Sequence, residues 1–146
     1  MKQKIFRSQI GKNITVVSDY MPDVSSVTLG FWLDRGSRDE TVKEMGLSHF
    51  YEHMIFKGTK TRNPEAIART LEKSGGSLNA FTGKEQVCIH ARFVDEELEA
   101  ACDIIKDVFH NSLFDGSELE KERNVILEEI RGSEDNLEEF VHDTIM

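Results

Sequence analysis

The sequence has little cysteine and proline, with two of each among 146 residues. Cys88 and Cys102 lie far apart and form no Cys-x-x-Cys pair, which argues against a disulfide framework and a thiolate zinc site. We expect both to be small buried apolar residues. A single domain of this length buries about two thirds of its unfolded surface, so folding requires no disulfide or metal. Any metal is therefore expected to serve chemistry.

Long apolar runs are absent as well, and no stretch of about 18 apolar residues could cross a membrane. The N-terminus lacks the apolar segment of a secretion signal and the Arg- and Ser-rich pattern of a transit peptide. We therefore expect a cytoplasmic protein with no membrane partner, unless a targeting segment has been removed.

Basic charge is scarce, and the formal net charge is -9. Residues 95–146 hold 17 of the 27 acidic side chains and 4 of the 18 basic ones. This balance makes a nucleic acid partner unexpected. The acidic half is typical of solvated helix faces, and recognition of basic peptides is the alternative.

Strand-forming segments come early in the chain and helical ones later. Strands are predicted over 4–9, 14–18, 24–34, 77–81 and 85–93, and helices over 44–57, 64–74, 95–111 and 116–131. This order predicts an α+β fold, an antiparallel (mixed) sheet with helices packed on one face. Residues 141–146 look like an interrupted helix.

One five-residue motif, His49-Phe50-Tyr51-Glu52-His53, carries most of the chemical information. Each helical residue turns by about 100°, so His49, Glu52 and His53 converge on one face. Two imidazoles one turn apart can bind one zinc ion, and a carboxylate beside them can take a proton from the attacking water. The motif predicts a hydrolytic site that lacks one ligand. The alternative is two core histidines with an incidental glutamate.

The helix predicted over 116–131 offers candidates for the missing ligand. Its buried stripe consists of Leu119, Ile126 and Ile130. Glu122 and Glu129 lie two turns apart on the same side. Inward carboxylates are costly unless they face a cation or metal, so we expect one of them to be the third ligand. Helical geometry does not choose between the two, and the alternative is that both pair with a buried Arg or Lys.

Several short motifs follow one another in an order that resembles a known family. They are Gly36-Ser37-Arg38, His49 to His53, Phe56-Lys57-Gly58-Thr59, Gly75-Gly76, Asn79-Ala80-Phe81-Thr82 and Glu122 to Ile130. The set is similar to the N-terminal portion of the pitrilysin, insulysin and mitochondrial processing peptidase family of zinc endopeptidases, which carry the inverted His-x-x-Glu-His motif and a distant Glu. Bacterial processing-peptidase-like members are the nearest in pattern.

The resemblance implies a role for each residue of the site. His49, His53 and Glu129 would be the Zn2+ ligands, Glu52 the general base, and Glu122 a carboxylate that supports the catalytic site. It also implies a processing-peptidase-like metallohydrolase fold and hydrolysis of peptide bonds in extended peptides.

The same resemblance implies a substrate strand. Asn79, Ala80 and Phe81 would contact a peptide that lies in extended form along the edge strand of residues 77–81. Main-chain hydrogen bonds would hold the peptide and side-chain pockets would select it. On sequence alone, Asn79 fits a turn or strand-edge role equally well. Tyr51 stands where relatives often have leucine, a change that faces the core.

Two other function classes fit parts of the pattern. A non-catalytic peptide-binding or structural subunit of the same fold generally has a degraded ligand set, whereas this set is intact. The enzyme that cleaves S-ribosylhomocysteine shares the inverted motif but uses a cysteine ligand. Neither Cys88 nor Cys102 lies in a matching Gly-Cys context.

Length sets a further expectation, because family subunits have two similar halves. The resemblance implies that residues 1–146 are a single zinc-binding catalytic domain from the N-terminal part of a longer subunit. A missing C-terminal half or partner subunit would help to hold the peptide or unfolded polypeptide substrate. We therefore expect zinc binding but weak cleavage by these residues alone, and an exposed apolar face that favours a homodimer.

Overall fold

The computed structural model describes residues 4–135, which alternate between strands and helices in an α+β arrangement. The elements are β1 (Lys4–Ile10), β2 (Ile14–Tyr20), β3 (Ser26–Leu33), α1 (Leu47–Met54), α2 (Pro64–Glu72), β4 (Ser77–Thr82), β5 (Val87–Val94), α3 (Leu98–Asn111) and α4 (Gly116–Asp135). The predicted fold class is confirmed. The predicted helix at 141–146 lies outside the described residues. Within residues 4–135, none of the helices has the length and hydrophobicity of a membrane-spanning segment.

The described strands form two antiparallel sheets, whereas the sequence suggested a single one. β1 pairs with β2 in a hairpin, and a second sheet has the strand order β3-β5-β4. The central strand β5 aligns His90 with Gly30 of β3 on one side and with Asn79 of β4 on the other. Among the described strands, β4 therefore keeps one edge free.

The core lies between one face of the three-stranded sheet and the helices α2 and α3. Ile89, Ala91 and Phe93 alternate along β5 and are at most 2% exposed. Alternation of this kind turns every second side chain to the same face. The helical side of the core is formed by Ile67, Leu71, Ala101, Ile104, Ile105 and Val108. Helices on one face of a sheet were predicted, and this arrangement is present.

The two cysteines differ, contrary to the expectation that both are buried. Cys88 is buried in β5, while Cys102 is exposed on α3. The reason is helical periodicity, because Ala101 and Ile105 turn one face of α3 to the core and Cys102 lies on another.

A buried carboxylate fastens the loop after α1 to α3. Asp107 is 5% exposed. Its Oδ2 accepts hydrogen bonds from Thr59 Oγ1 at 2.8 Å, Thr61 Oγ1 at 3.1 Å and Arg62 Nη1 at 2.6 Å, and its Oδ1 accepts one from Asn111 Nδ2 at 2.8 Å. Burial by itself would raise the pKa of this carboxyl, but the four donors outweigh burial and lower the pKa to about 2.

The loop that precedes α1 lies against the turn between β4 and β5. The Ser37 N–H donates to Gly83 O at 3.1 Å, and the Arg38 N–H donates to Lys84 O at 2.8 Å. A Cβ atom at Gly36 would lie 2.5 Å from both Gln86 N and Gly83 O. Only glycine fits there, which gives a physical reason for the first motif of the sequence.

Replacing Asp107 by asparagine is expected to lower the free energy of unfolding by about 2 kcal/mol near neutral pH. Because the folded-state pKa lies below the ordinary value, the carboxylate stabilises the fold above about pH 4, and this contribution is lost as the pH falls towards about 2. Denaturant titrations at several pH values measure the difference. The control is Asp103→Asn, whose carboxylate is 61% exposed and also pairs with Arg62. An equal loss of unfolding free energy in the two variants would contradict the stabilising role of Asp107. A difference in unfolding free energy that does not shrink at low pH would contradict it too.

Gly36→Ala is expected to cost about 1–3 kcal/mol, because the added methyl group collides with main-chain atoms that cannot turn away. Gly116→Ala is the matched control, since a Cβ there meets nothing within 4 Å. The denaturation midpoint should fall for the first variant alone. A similar midpoint for both would show that the loop can move away from the turn.

Candidate metal centre

The Glu40 carboxylate binds main-chain N–H groups at the start of the helix that carries the motif. Glu40 accepts hydrogen bonds from the Gly46 N–H at 2.7 Å and the Ser48 N–H at 2.6 Å. Burial by itself would raise the pKa of Glu40, but the hydrogen bonds from Ser48 and Gly46 lower it. Gly46 has a φ of 88°, in the left-handed region, so α1 starts at Leu47 and is shorter than the predicted 44–57.

An aromatic contact joins α1 to the start of α4. The rings of Tyr51 and Phe114 stack with centroids 6.0 Å apart and an interplanar angle of 28°. Phe114 has a φ of 47°, a left-handed conformation that is unusual for a residue other than glycine. The half-buried Tyr51 therefore contacts the segment that leads into the helix with Glu122 and Glu129.

The structure brings His49, His53 and Glu129 together. Glu129 Oε2 lies 3.1 Å from His49 Nε2 and 3.5 Å from His53 Nε2. Among the described residues, these three form the group whose ligand atoms lie within 4.8 Å of one another. In a tetrahedral zinc site with bonds of about 2.0–2.1 Å, ligand atoms lie about 3.3 Å apart. Two imidazoles and one carboxylate also match the donor set of catalytic zinc sites that keep a fourth position open.

The opposite nitrogen of each imidazole faces a second glutamate. Glu122 Oε2 lies 3.1 Å from His53 Nδ1, and Glu52 Oε2 lies 3.8 Å from His49 Nδ1. An imidazole that donates its Nδ1 proton to a carboxylate keeps the Nε2 lone pair for a metal. The 3.1 Å contact therefore leaves His53 Nε2 available to a metal, whereas the 3.8 Å separation at His49 Nδ1 is too long for a hydrogen bond.

Glu122 is 7% exposed and contacts a cation in addition to His53. Lys57 Nζ lies 2.5 Å from Glu122 Oε1. Burial by itself would raise the pKa of Glu122, but the hydrogen bonds from Lys57 and His53 outweigh burial and lower it. The alternative of a structural ion pair therefore describes Glu122, whereas Glu129 faces the two imidazoles.

Comparison with known protein families identifies the family of this chain. Residues 15–146 match the family described as Insulinase (Peptidase family M16). The chain belongs to the insulinase family. The resemblance inferred from the motifs is confirmed.

Proteins similar in sequence to this chain include some that are named zinc proteases. The chain is 45% identical over 132 residues to an uncharacterized zinc protease of Bacillus subtilis strain 168, covering 90% of this chain and 32% of that protein. It is 38% identical over 136 residues to the beta subunit of the mitochondrial-processing peptidase of Saccharomyces cerevisiae, covering 93% of this chain and 29% of that protein. The chain thus spans about a third of the length of the curated relatives it matches.

A solved structure supports the fold independently. The crystal structure of a protease from Helicobacter pylori matches with a TM-score of 0.85 at 23% identity, covering 92% of this chain and 32% of that one. The match shows that this chain and the solved protease share a fold.

The sequence predicted a buried stripe along α4, and this prediction is wrong for its last residue, Ile130. Ile126 is 8% exposed, but Ile130 is 46% exposed. The side chain of Glu129 is also 49% exposed. The reason is that α4 packs mainly on α1, which has 8 residues against the 20 of α4. One short helix cannot cover the whole stripe, so Glu129 reaches the imidazoles from an exposed position.

The structure also places the three residues of the predicted substrate strand. Ala80 is 5% exposed, with its side chain in the core, while Phe81 is 41% exposed. The exposed Asn79 accepts a hydrogen bond from the Ala80 N–H at its Oδ1, at 2.9 Å. Thr82 Oγ1 donates to Ser48 O at 3.2 Å, which ties the end of β4 to the start of α1. The edge strand therefore runs beside α1, the helix that carries His49 and His53.

The sequence analysis assigned no role to two residues that support the site, Lys57 and Glu40. Lys57 follows His53 by one helical turn, so its side of the helix could have been read from the spacing. Glu40 reaches α1 across a loop whose shape no local pattern specifies.

If Glu129 is a ligand, Glu129→Gln is expected to weaken zinc binding by about 100-fold or more, because loss of an outer partner alone costs about 10- to 100-fold. Glu128→Gln is the matched control, since Glu128 is exposed and pairs with Arg131. Competition with a chromophoric chelator measures the zinc affinity of both variants. Equal zinc affinities for the two variants would exclude Glu129 from the ligand set.

Proposed function

We propose that this chain is the zinc-binding catalytic domain of a metalloendopeptidase that hydrolyses extended peptides or unfolded polypeptides. The observation that supports it most is the approach of two imidazole Nε2 atoms to the Glu129 carboxylate, with Glu52 beside them. Membership of the insulinase family and the naming of relatives as zinc proteases add support.

Each residue of the site has a distinct task in this proposal. His49, His53 and Glu129 hold Zn2+, which would supply a lowered water pKa of about 7 and polarisation of the peptide carbonyl. Glu52 takes a proton from the attacking water and returns it to the leaving amine. Its side chain is 22% exposed, so water can reach it. Glu122 orients the His53 ring.

The free edge of β4 is proposed to bind the substrate as an added strand. The buried Ala80 side chain leaves only main-chain atoms for a peptide to contact at that position. The neighbouring Phe81 ring, which contacts Trp32 with centroids 5.5 Å apart, is exposed beside it. The proposal assigns main-chain recognition to Asn79 and Ala80 and side-chain contact to Phe81.

Residues 1–146 are proposed to be one domain, the N-terminal part of a longer two-half subunit. The chain spans about a third of its relatives, which supports this view. The β1–β2 hairpin also exposes apolar side chains, among them Phe6 at 57%, Val17 at 64% and Tyr20 at 59%. Exposed apolar surface of this kind marks interaction sites. A C-terminal half or a partner subunit would cover this apolar surface. The alternative is that a second copy of this chain covers it in a homodimer.

The competing activities gain no support from the geometry. Cys88 is buried in β5 and Cys102 lies on α3, and neither belongs to the metal-facing group. The cysteine-ligated lyase chemistry therefore does not fit. The intact ligand set also gives no reason to prefer a non-catalytic subunit. A cytoplasmic location stays a prediction.

Glu52→Gln is expected to leave zinc affinity within about threefold while the cleavage rate falls by about 10²–10⁴-fold, because the amide cannot take a proton. The test uses a peptide library with this chain and with the full-length polypeptide that contains it. Glu72→Gln on the exposed side of α2 is the control and should cleave normally. Cleavage by Glu52→Gln at the unsubstituted rate would refute the assignment of the base. Efficient cleavage by the 146 residues alone would refute the need for a second half.

A further inference from the structure

Lys57 ends a line of contacts that leads to the metal-facing nitrogen of His53. The two oxygens of Glu122 are divided between two partners: Oε2 lies 3.1 Å from His53 Nδ1, and Oε1 lies 2.5 Å from Lys57 Nζ. The carboxylate is nearly enclosed, with 9% of the Glu122 side chain exposed, whereas that of Lys57 is 33% exposed. Lys57 thus supplies the positive charge that the enclosed carboxylate needs.

The main chain around Lys57 is fixed on both sides. Its N–H donates to Met54 O at 3.1 Å, which continues the turn of α1 past its last residue. The next residue, Gly58, has a φ of 127°, and its carbonyl accepts the Leu113 N–H at 3.1 Å. The chain therefore turns away immediately after Lys57, and the ion pair with Glu122 holds the Lys57 side chain.

Two glutamates of α4 approach the same imidazole from opposite sides. Glu122 lies at Nδ1 of His53, and Glu129 Oε2 lies 3.5 Å from Nε2. Either carboxylate is chemically able to bind a metal. An enclosed carboxylate without a cation is costly, and turning towards a metal ion would relieve that cost. The Lys57 ammonium group balances the charge of Glu122, so Glu122 does not need a metal ion to offset its burial.

We infer that Lys57 is a positioning residue that clamps Glu122 against His53 Nδ1, so that His53 carries its proton on Nδ1, presents Nε2 to the metal and leaves Glu129 as the carboxylate ligand. The inference rests on the proposed zinc site. It assigns a task to the Phe56-Lys57-Gly58-Thr59 motif beyond that of ending a helix.

The test compares Lys57→Met, Lys57→Arg and the control Lys60→Met, which removes an exposed charge from the same loop. Zinc affinity is measured by chelator competition, and the His53 tautomer is read from the ¹⁵N spectrum of the metal-free protein. Lys57→Met should weaken zinc binding about tenfold and lower the Nδ1–H fraction of His53. Lys57→Arg should retain most of both, and Lys60→Met should change neither. If Lys57→Met behaves like Lys60→Met, the inference is wrong.

A double variant shows whether Lys57 acts through Glu122. In a Glu122→Gln background, Lys57→Met should weaken zinc binding by less than about twofold further, because the coupled partner is already gone. A full additional loss would mean that Lys57 acts by another route and would overturn the inference. If Lys57→Met does not fold, Lys57→Gln takes its place, with weaker zinc binding as the supporting result and unchanged binding as the contrary one.

The outcome also separates this inference from the proposed function. An unsubstituted chain that binds no zinc refutes the zinc site itself. An unsubstituted chain that binds zinc, with Lys57 variants that bind it equally well, refutes the role of Lys57 alone.

Discussion

The contact between α1 and α4 is the interaction on which the site depends. It joins residues far apart in the chain, with His53 facing Glu122 and both imidazoles facing Glu129. Neither helix alone supplies this group, since α1 carries the two histidines and α4 carries Glu129. The relative position of α1 and α4 decides whether the side chains of His49, His53 and Glu129 converge on one point.

The rest of the described structure holds α1 in place for that contact. Glu40 binds the first amides of the helix, and Asp107 fastens the loop that follows it to α3. Thr82 connects the helix to β4. Each of these contacts is a hydrogen bond, so each has a defined geometry that apolar packing alone would not supply. The site is therefore supported by the sheet, by α3 and by the preceding loop.

Much of this could be predicted from the sequence because the signals are local. The His49–His53 spacing, the start of α2 at Pro64 and the turn between β4 and β5 are each set within a few residues. The features that were missed depend on distant partners. Gly46 shortened α1 through a left-handed conformation, the strands divided into two sheets, and Glu129 proved exposed because α1 is too short to cover α4. Helical periodicity identifies a face but not how much of it a neighbour covers.

The most direct test of the account is a crystal structure of the zinc-loaded protein with anomalous data at the zinc absorption edge. The account predicts one strong anomalous peak about 2.0–2.2 Å from His49 Nε2, His53 Nε2 and a Glu129 oxygen, with Glu122 still bonded to Lys57 and His53 Nδ1. A peak coordinated by Glu122 in place of Glu129, or one that does not contact both imidazoles, would contradict it.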